Sequence, residues 1–342
     1  MRTPVLASLS AVSAAITLVL CSFAIAPSAP AQDSLVPPAA EFASMQPSPE
    51  ANASFAGYEG ALKAAIDAND LKSQALALDR IGVLYFTHRN PPEALKYFQR
   101  VLSIVRTLGE QVDEATALSD IGAANFALGR NEEALEDFKQ ALPIWRKAGN
   151  QDREAATLGN MGEVFRALDD PLEALIFDQR SLLLYAMAGN HDRQATVLNN
   201  IGLAYYASHD KKSALDAFQK AREIYHAGMN LSGEANTLNN IGGTYNAYGE
   251  TKRALDPFQQ ALAIQRQMGD RKGEATTLNN MGTAYSHLGD GKRAIELYKQ
   301  ALTAFRAAGD AKGMATAMKN IELLYADKRY RSSLGERPKG FE

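Results

Sequence analysis

Cysteine is almost missing from this sequence: Cys21 is the single one among 342 residues, and it lies in a segment that reads as removable. A chain beginning at Gln32 would have no thiol, which excludes disulfides, thiol nucleophiles and Cys-ligated zinc or iron–sulfur centres. Exported proteins often supplement a thin core with disulfides; this one must rely on an extensive apolar core instead. An excess of charge is missing as well. The 36 Lys+Arg and 39 Asp+Glu leave a net charge of -3, so no overall positive field draws the chain onto nucleic acid or anionic lipid. Partners have to be chosen by local surfaces.

Catalytic signatures are equally scarce. His88, His191, His209, His226 and His287 are scattered, with no HExxH or HxH arrangement, whereas a metal or base–nucleophile site needs partners at ligand spacing. They read as surface histidines. Carboxylate pairs such as Glu132-Glu133 and Asp169-Asp170 fall at turns and helix starts, where negative charge complements the helix dipole. The recurring glycines are single, with neither GxxxxGK nor GxGxxG. No cofactor, metal or enzymatic activity is implied.

Residues 1–31 read as a signal peptide: Arg2, an apolar run from Val5 to Ala26, then Ala29-Pro30-Ala31 as the cleavage pattern. Export to the periplasm or beyond is the resulting expectation. The alternative is an uncleaved anchor formed by residues 5–26, the only link to a membrane; a lipoprotein at Cys21 is disfavoured by Leu20, where such signals resemble one another in having a small residue. Residues 32–52, rich in Pro, Ala, Ser and Gln, read as a flexible linker. The tail at 327–342, with Lys328, Arg329, Arg331, Arg337 and Lys339, reads as a solvated terminus.

What the sequence has in abundance is repetition. Ile81, Ile121, Met161, Ile201, Ile241, Met281 and Ile321 succeed one another at intervals of 40 without slippage, which is the mark of a solenoid. Six full units occupy 69–308, a half-unit caps each end, and the array spans 53–326. Apolar residues recur at helical spacing twice per unit, as in Leu278, Met281 and Tyr285, then Ala294, Tyr298 and Ala301. About fourteen helices result, and the fold class is all-α. Gly129, Gly249 and Gly289 supply left-handed caps within units, and Pro91 and Pro171 suit the first turn of a second helix. Gly109, Gly149, Gly189, Gly269 and Gly309 separate units, and Gly228-Met229-Asn230 is a shifted version of the same boundary.

Leu198, Ile201, Gly202, Tyr205, Ala214, Phe218 and Ala221, and again Leu238, Ile241, Gly242, Tyr245, Gly249, Ala254, Phe258 and Ala261, carry the spacing of the tetratricopeptide repeat. The unit resembles the longer, 40-residue branch found in spindle-orientation adaptors, in bacterial multi-repeat chains and, slightly longer still, in kinesin light chains. The resemblance implies a right-handed superhelical solenoid of antiparallel helix pairs, with first helices lining a concave groove that commonly takes ligands. Gly82, Gly122, Gly162, Gly202, Gly242 and Gly282 are expected to face Ala94, Ala134, Ala174, Ala214, Ala254 and Ala294, letting the paired backbones approach. Glu322 replaces the glycine in the last copy, marking a cap. Asn125 and Asp178 stand where aromatics are expected, with Phe126 and Phe177 placed to compensate. Pro143 should kink its helix and Pro257, nearer a helix start, less so. Units two and three are therefore expected to pack least regularly.

The polar feature above background is a pair of asparagine columns on the first helices: Asn199-Asn200, Asn239-Asn240 and Asn279-Asn280, with Asn160 and Asn320 extending the second column. Stacked amides could read an extended peptide backbone, or could form a ladder between units. Asn200, Asn240 and Asn280 are balanced between the two; Asn199, Asn239 and Asn279, absent from units one to three, lean toward binding. Residues expected to project alongside are Glu163, Arg166, Thr196, Leu203, Tyr206, Asn236, Asn246 and Thr276. The functional expectation is an exported, non-enzymatic scaffold binding a peptide or protein segment in the groove. A second class is the sensor subunit of a system whose catalytic part, such as the caspase-like CHAT domain that follows similar bacterial arrays, is on another chain, because about sixteen residues after the last helix are too few for a catalytic domain. Self-association through array ends is a third. The oligomeric state stays open.

Overall fold

The computed structural model describes residues 49–327. The expected signal segment, nearly all of the linker and the basic residues of the tail lie outside the described residues. Those described form fourteen α-helices and no strand, in two compact units that meet in sequence between Asn190 and His191. The first holds α1 (Pro49–Asp67), α2 (Leu71–Thr87), α3 (Pro91–Leu108), α4 (Gln111–Ala127), α5 (Asn131–Lys147), α6 (Gln151–Ala167) and α7 (Pro171–Met187). The second holds α8 (His191–Ala207), α9 (Lys211–Ala227), α10 (Leu231–Ala247), α11 (Thr251–Met268), α12 (Arg271–His287), α13 (Gly291–Ala307) and α14 (Ala311–Ala326). Helix α1 starts at Pro49, inside the stretch read as linker, with proline in the first turn, where its fixed φ and missing N–H are tolerated. Connections of two or three residues make sequential helices antiparallel neighbours.

The helices are cut to length by a left-handed residue at every twentieth position from Asn69 to Gly309. Eight of these are glycines, and Asn69, Arg89, Asp169, His209 and Met229 take φ between 55° and 60°. The amide after each one bonds back five residues, as Asn90 N–H does to the Tyr85 carbonyl at 2.8 Å and Asp290 N–H to that of Tyr285 at 2.9 Å. This is the Schellman closure of a helix end. Where the residue carrying that amide is Asp or Asn, its side chain can cap the next helix, as Asp290 Oδ1 does by accepting from Arg293 N–H at 3.1 Å, whereas Glu110, Arg130 and Glu250 make no such bond. At the fourth boundary the sequence reading is corrected. Gly228 keeps a right-handed φ of -81°, and Met229 carries the left-handed conformation, because the twenty-residue spacing set by helix packing outweighs the local preference for glycine.

In five of the six pairs the repeated glycine meets an aromatic ring rather than the alanine expected from the sequence; in the third, Gly162 meets the Asp178 carboxylate and the Ala174 carbonyl. A Cβ on Gly82, Gly202 or Gly242 would lie 2.5–2.6 Å from the ring of Phe98, Phe218 or Phe258, and one on Gly282 would lie 2.6 Å from Tyr298. The ring thus rests directly on the first helix's backbone. Phe98, Phe138, Phe218 and Phe258 are fully buried, as are the alanines one turn earlier. Helices α5 and α11 continue through Pro143 and Pro257; Pro143 faces solvent, where the lost backbone bond leaves a carbonyl that water can reach.

Met229 is 83% exposed, so its side chain contributes little packing to offset a backbone conformation that costs a non-glycine residue about 1 kcal/mol. Met229→Gly is expected to stabilise the protein by about that amount, read as an increased midpoint in urea denaturation; an unchanged or lowered midpoint would contradict the assignment.

Candidate ligand-binding surface

In the second unit the asparagine columns form a ladder between repeats. Asn240 Nδ2 donates to Asn199 Oδ1 at 3.0 Å, Asn280 Nδ2 to Asn239 Oδ1 at 3.2 Å and Asn320 Nδ2 to Asn279 Oδ1 at 3.0 Å. Thr237 and Thr277 hydroxyls add bonds to the first two acceptors at 3.3 and 3.5 Å. Each rung joins residues 41 apart, one full repeat plus one. Asn200, Asn239, Asn240, Asn279 and Asn280 are buried, and Asn199 is half-buried. The lean of Asn199, Asn239 and Asn279 toward ligand binding is therefore not what this geometry supports. Their side-chain oxygens are committed to the next repeat, and identical residues recur because one hydrogen bond recurs.

Asn246 is buried, its Oδ1 accepting from the Thr251 hydroxyl at 3.1 Å and contacting His287 Nδ1 at 3.0 Å. Tyr206 is partly covered and stands edge-on to Tyr248 with ring centroids 6.2 Å apart; burial, and then Tyr248, pushes its phenol up from the usual range. Thr196, Leu203, Asn236 and Thr276 remain half-exposed. Thr196 shares a 2.9 Å hydrogen bond with the Tyr225 hydroxyl, and Leu203 packs beside Phe218 and Ile241. The five residues left beside the ladder, Thr196, Leu203, Tyr206, Asn236 and Thr276 on α8, α10 and α12, are themselves uncharged, and Lys211 stands over the ring of Tyr248 next to Tyr206.

Glu163 and Arg166 belong to the first unit and serve a different arrangement. Asp178 replaces the aromatic of the third repeat and is completely buried, in an ion pair with Arg166. Phe177 stacks on Phe165 at 5.2 Å, as Tyr97 does on Tyr85 at 5.4 Å in the first repeat, where Phe98 keeps its place, so this stack belongs to the register and is not a compensation for Asp178. In the second repeat Asn125 Nδ2 donates to Asp137 at 2.8 Å. At the ladder register of the first two repeats the asparagines give way to Asp79 and Asp120, both buried. Sequence reasoning passed over these acids, although Asp79 and Asp120 sit 41 apart and so share the spacing of the rungs.

Burial raises four of the first unit's acids. Asp79 is pushed up to about 7 by burial, against the pull of Arg80 and Arg153 and helped by Asp113. Glu163 reaches about 7 by burial, opposed by Arg166 and assisted by Asp178. Asp178 reaches about 6, burial outweighing Arg166, and Asp137 about 6, burial outweighing the Asn125 bond. Raised carboxyls bind protons more tightly folded than unfolded, so the stability they contribute is present below about pH 4 and lost as pH rises through about 6 to 7. All four belong to the first unit. Hydrogen exchange, corrected for intrinsic pH effects, is expected to show α2 to α7 less protected at about pH 8 than at about pH 5, with a smaller change in α8 to α14; equal responses would remove these acids as the cause.

The ladder makes its own prediction. Asn239→Ala strands the Asn280 amide and the Thr277 hydroxyl in a buried setting and is expected to cost about 1–3 kcal/mol, read by urea denaturation. A change within about 0.5 kcal/mol, the range of an ordinary surface substitution, would return Asn239 to the ligand-binding reading.

Among the described residues, no group of three or more His, Cys, Asp or Glu could hold a metal ion. Comparison with known proteins agrees with the architecture. Tetratricopeptide repeat models match residues 73–147, 113–185, 153–227, 273–334 and 235–268, more than half of the chain. No curated protein matches. Among solved structures, BtubC (BKLC) from P. vanneervenii is similar with a TM-score of 0.57 and 19% identity, over 65% of this chain and 93% of that one. Aspartyl phosphate phosphatase F from Bacillus subtilis matches at 0.58 and 13% identity, over 80% and 76%. The signal transduction ATPase PH0952 from Pyrococcus horikoshii, with a tetratricopeptide repeat sensor, matches at 0.59 and 17% identity, over 83% of this chain and 44% of that one. With the left-handed residue every twenty positions and the glycine–aromatic contact inside five of the six pairs, these matches establish that the chain belongs to the tetratricopeptide repeat family.

Proposed function

We propose that the chain is an exported, non-enzymatic interaction scaffold that binds an extended peptide or protein segment along the first helices of its repeats. Repeats of this family are protein-interaction scaffolds, and the export reading draws on the pattern at residues 1–31. The observation that carries the reading is the half-exposed column Thr196, Asn236 and Thr276, one residue per repeat, beside Leu203 and Tyr206. The buried ladder fixes the spacing of this column, so its hydroxyls and amide are held without a ligand to order them. The Thr196 and Thr276 hydroxyls donate to the Asp192 and Lys272 carbonyls of their own helices and so offer acceptor lone pairs, while Asn236 offers a donor and an acceptor. This set suits main-chain amides, which every peptide presents in the same way. Leu203 and Tyr206 supply the apolar contact that would select side chains. A charged ligand gains little from these five residues, so the favoured segment is a neutral one with scattered apolar residues.

The test uses a chain beginning at Gln32 and fluorescence anisotropy against a library of extended peptides, followed by the triple variant Thr196→Ala, Asn236→Ala, Thr276→Ala. The variant leaves every rung of the asparagine ladder in place. Peptides bound by the unmodified protein should lose at least about tenfold in affinity, in line with about 1 kcal/mol for each of two or three hydrogen bonds, while the stability read from the circular dichroism melt falls by no more than the loss of the Thr196–Tyr225 hydrogen bond accounts for, about 1 kcal/mol. Undiminished binding by the variant would move the site elsewhere.

A further inference from the structure

The outer helices of the repeats act as controls for one another. At the registers of Leu172 and Ile176, helices α5, α9, α11 and α13 carry Glu132 and Glu136, Lys212 and Asp216, Lys252 and Asp256, and Lys292 and Glu296. Helix α7 alone places large apolar residues there, and it does so again one turn and more further on. Leu172, Ile176, Leu183 and Met187 are 68%, 43%, 61% and 66% exposed. At about 100° per residue the four fall within about 60° of one another around the helix, forming a single stripe. Its inner side is already used, because Ala174, Leu175, Asp178, Ser181 and Tyr185 are buried. The stripe is therefore surplus to the packing of the first unit, and contiguous exposed apolar patches mark interaction sites.

The stripe reads the same in both directions. Its spacings are four, seven and four residues, with the midpoint between Gln179 and Arg180. We propose that α7 is a self-association surface on which a second copy of this chain lays its own α7 antiparallel, about a twofold axis at Gln179–Arg180. Leu172 then meets the partner's Met187, and Ile176 meets the partner's Leu183, so that all four side chains on each copy are covered. Twofold pairing of this kind is the commonest form of protein self-association. An antiparallel pair also sets the helix dipoles in the favourable sense. A parallel pair would instead oppose Glu173 to Glu173 and Arg180 to Arg180. The four side chains expose on the order of 400 Å² per copy, about half of the roughly 800 Å² that each partner commits to a standard stable interface. The dimer is accordingly weak, with dissociation at tens of micromolar or above, and depends on concentration. This surface lies on a second helix and is independent of the peptide-binding reading.

The experiment uses the full chain with Cys21→Ser, so that introduced thiols are the only ones. Sedimentation velocity from about 1 µM to about 1 mM is expected to show a reversible shift from monomer to dimer, lost in Ile176→Glu and in Leu183→Glu; both positions are exposed, so the variants should fold, and circular dichroism checks that they do. Register is read by oxidation. Gln179→Cys lies at the axis and should form disulfide-linked dimers, whereas Leu172→Cys should not, because its two copies are about fifteen residues, about 22 Å, apart along an antiparallel seam. A monomer at every concentration would overturn the proposal, and so would a dimer that survives both glutamate variants. Cross-linking through Leu172→Cys in preference to Gln179→Cys would overturn it too. So would a stripe whose glutamate variants impair binding of another protein while the unmodified chain stays monomeric.

Discussion

The contact on which this fold depends is an aromatic ring packed against a helix backbone at a glycine. Five of the six first helices carry a glycine where the ring of Phe98, Phe138, Phe218, Phe258 or Tyr298 approaches, and a methyl group there would collide with it. The ring fixes the distance and the rotation of the two helices of a pair. Once these are fixed, helix length is no longer free, and a left-handed residue falls at every twentieth position whether or not the sequence offers glycine there. Met229 and His209 take that conformation because altering the helix by one residue would rotate a whole apolar face away from the core.

In the third repeat the ring is withdrawn. Asp178 occupies the place of the phenylalanine and brings Arg166 inward to pair with it, while Phe177 and Phe165 stack beside them. A buried ion pair seldom matches well-packed apolar side chains in stability. Together with Asp79, Asp137 and Glu163, it gives the first unit a group of acids whose burial favours their protonated forms. The second unit has neutral asparagines at the equivalent ladder positions. Two halves built from the same repeat are thus expected to differ in their response to pH: Asp79 stands at a ladder position where the second unit has an amide that does not titrate, and Asp137, Asp178 and Glu163 add to it.

The asparagine columns also show how repetition should be read in a solenoid. A ligand contacts each repeat through a different part of itself, so binding residues tend to vary, whereas neighbouring repeats contact one another in the same way each time. Asn239 and Asn279, identical across repeats, are consumed by that internal contact. In the proposed binding mode their contribution is indirect, in holding Thr196, Asn236 and Thr276 at constant spacing.

The all-α class, the forty-residue period, the repeat family, most helix ends and the identity of the core residues were legible in the sequence, because each rests on short-range periodicity or on one residue's backbone preference. Gly202 and Phe218 were legible as a motif, but their mutual contact was not: sixteen residues separate them, and the sequence pattern pairs Gly202 as easily with Ala214. Asn199 and Asn239 were visible as a column, yet whether that column faces a ligand or the next repeat depends on a rotation of a few tens of degrees about the helix axis, which only packing between repeats determines. Leu172 and Met187 could be read as apolar in the sequence. That they stand in solvent was decided by the opposite face of α7 taking its place in the core, because a helix can bury only one side against its own unit.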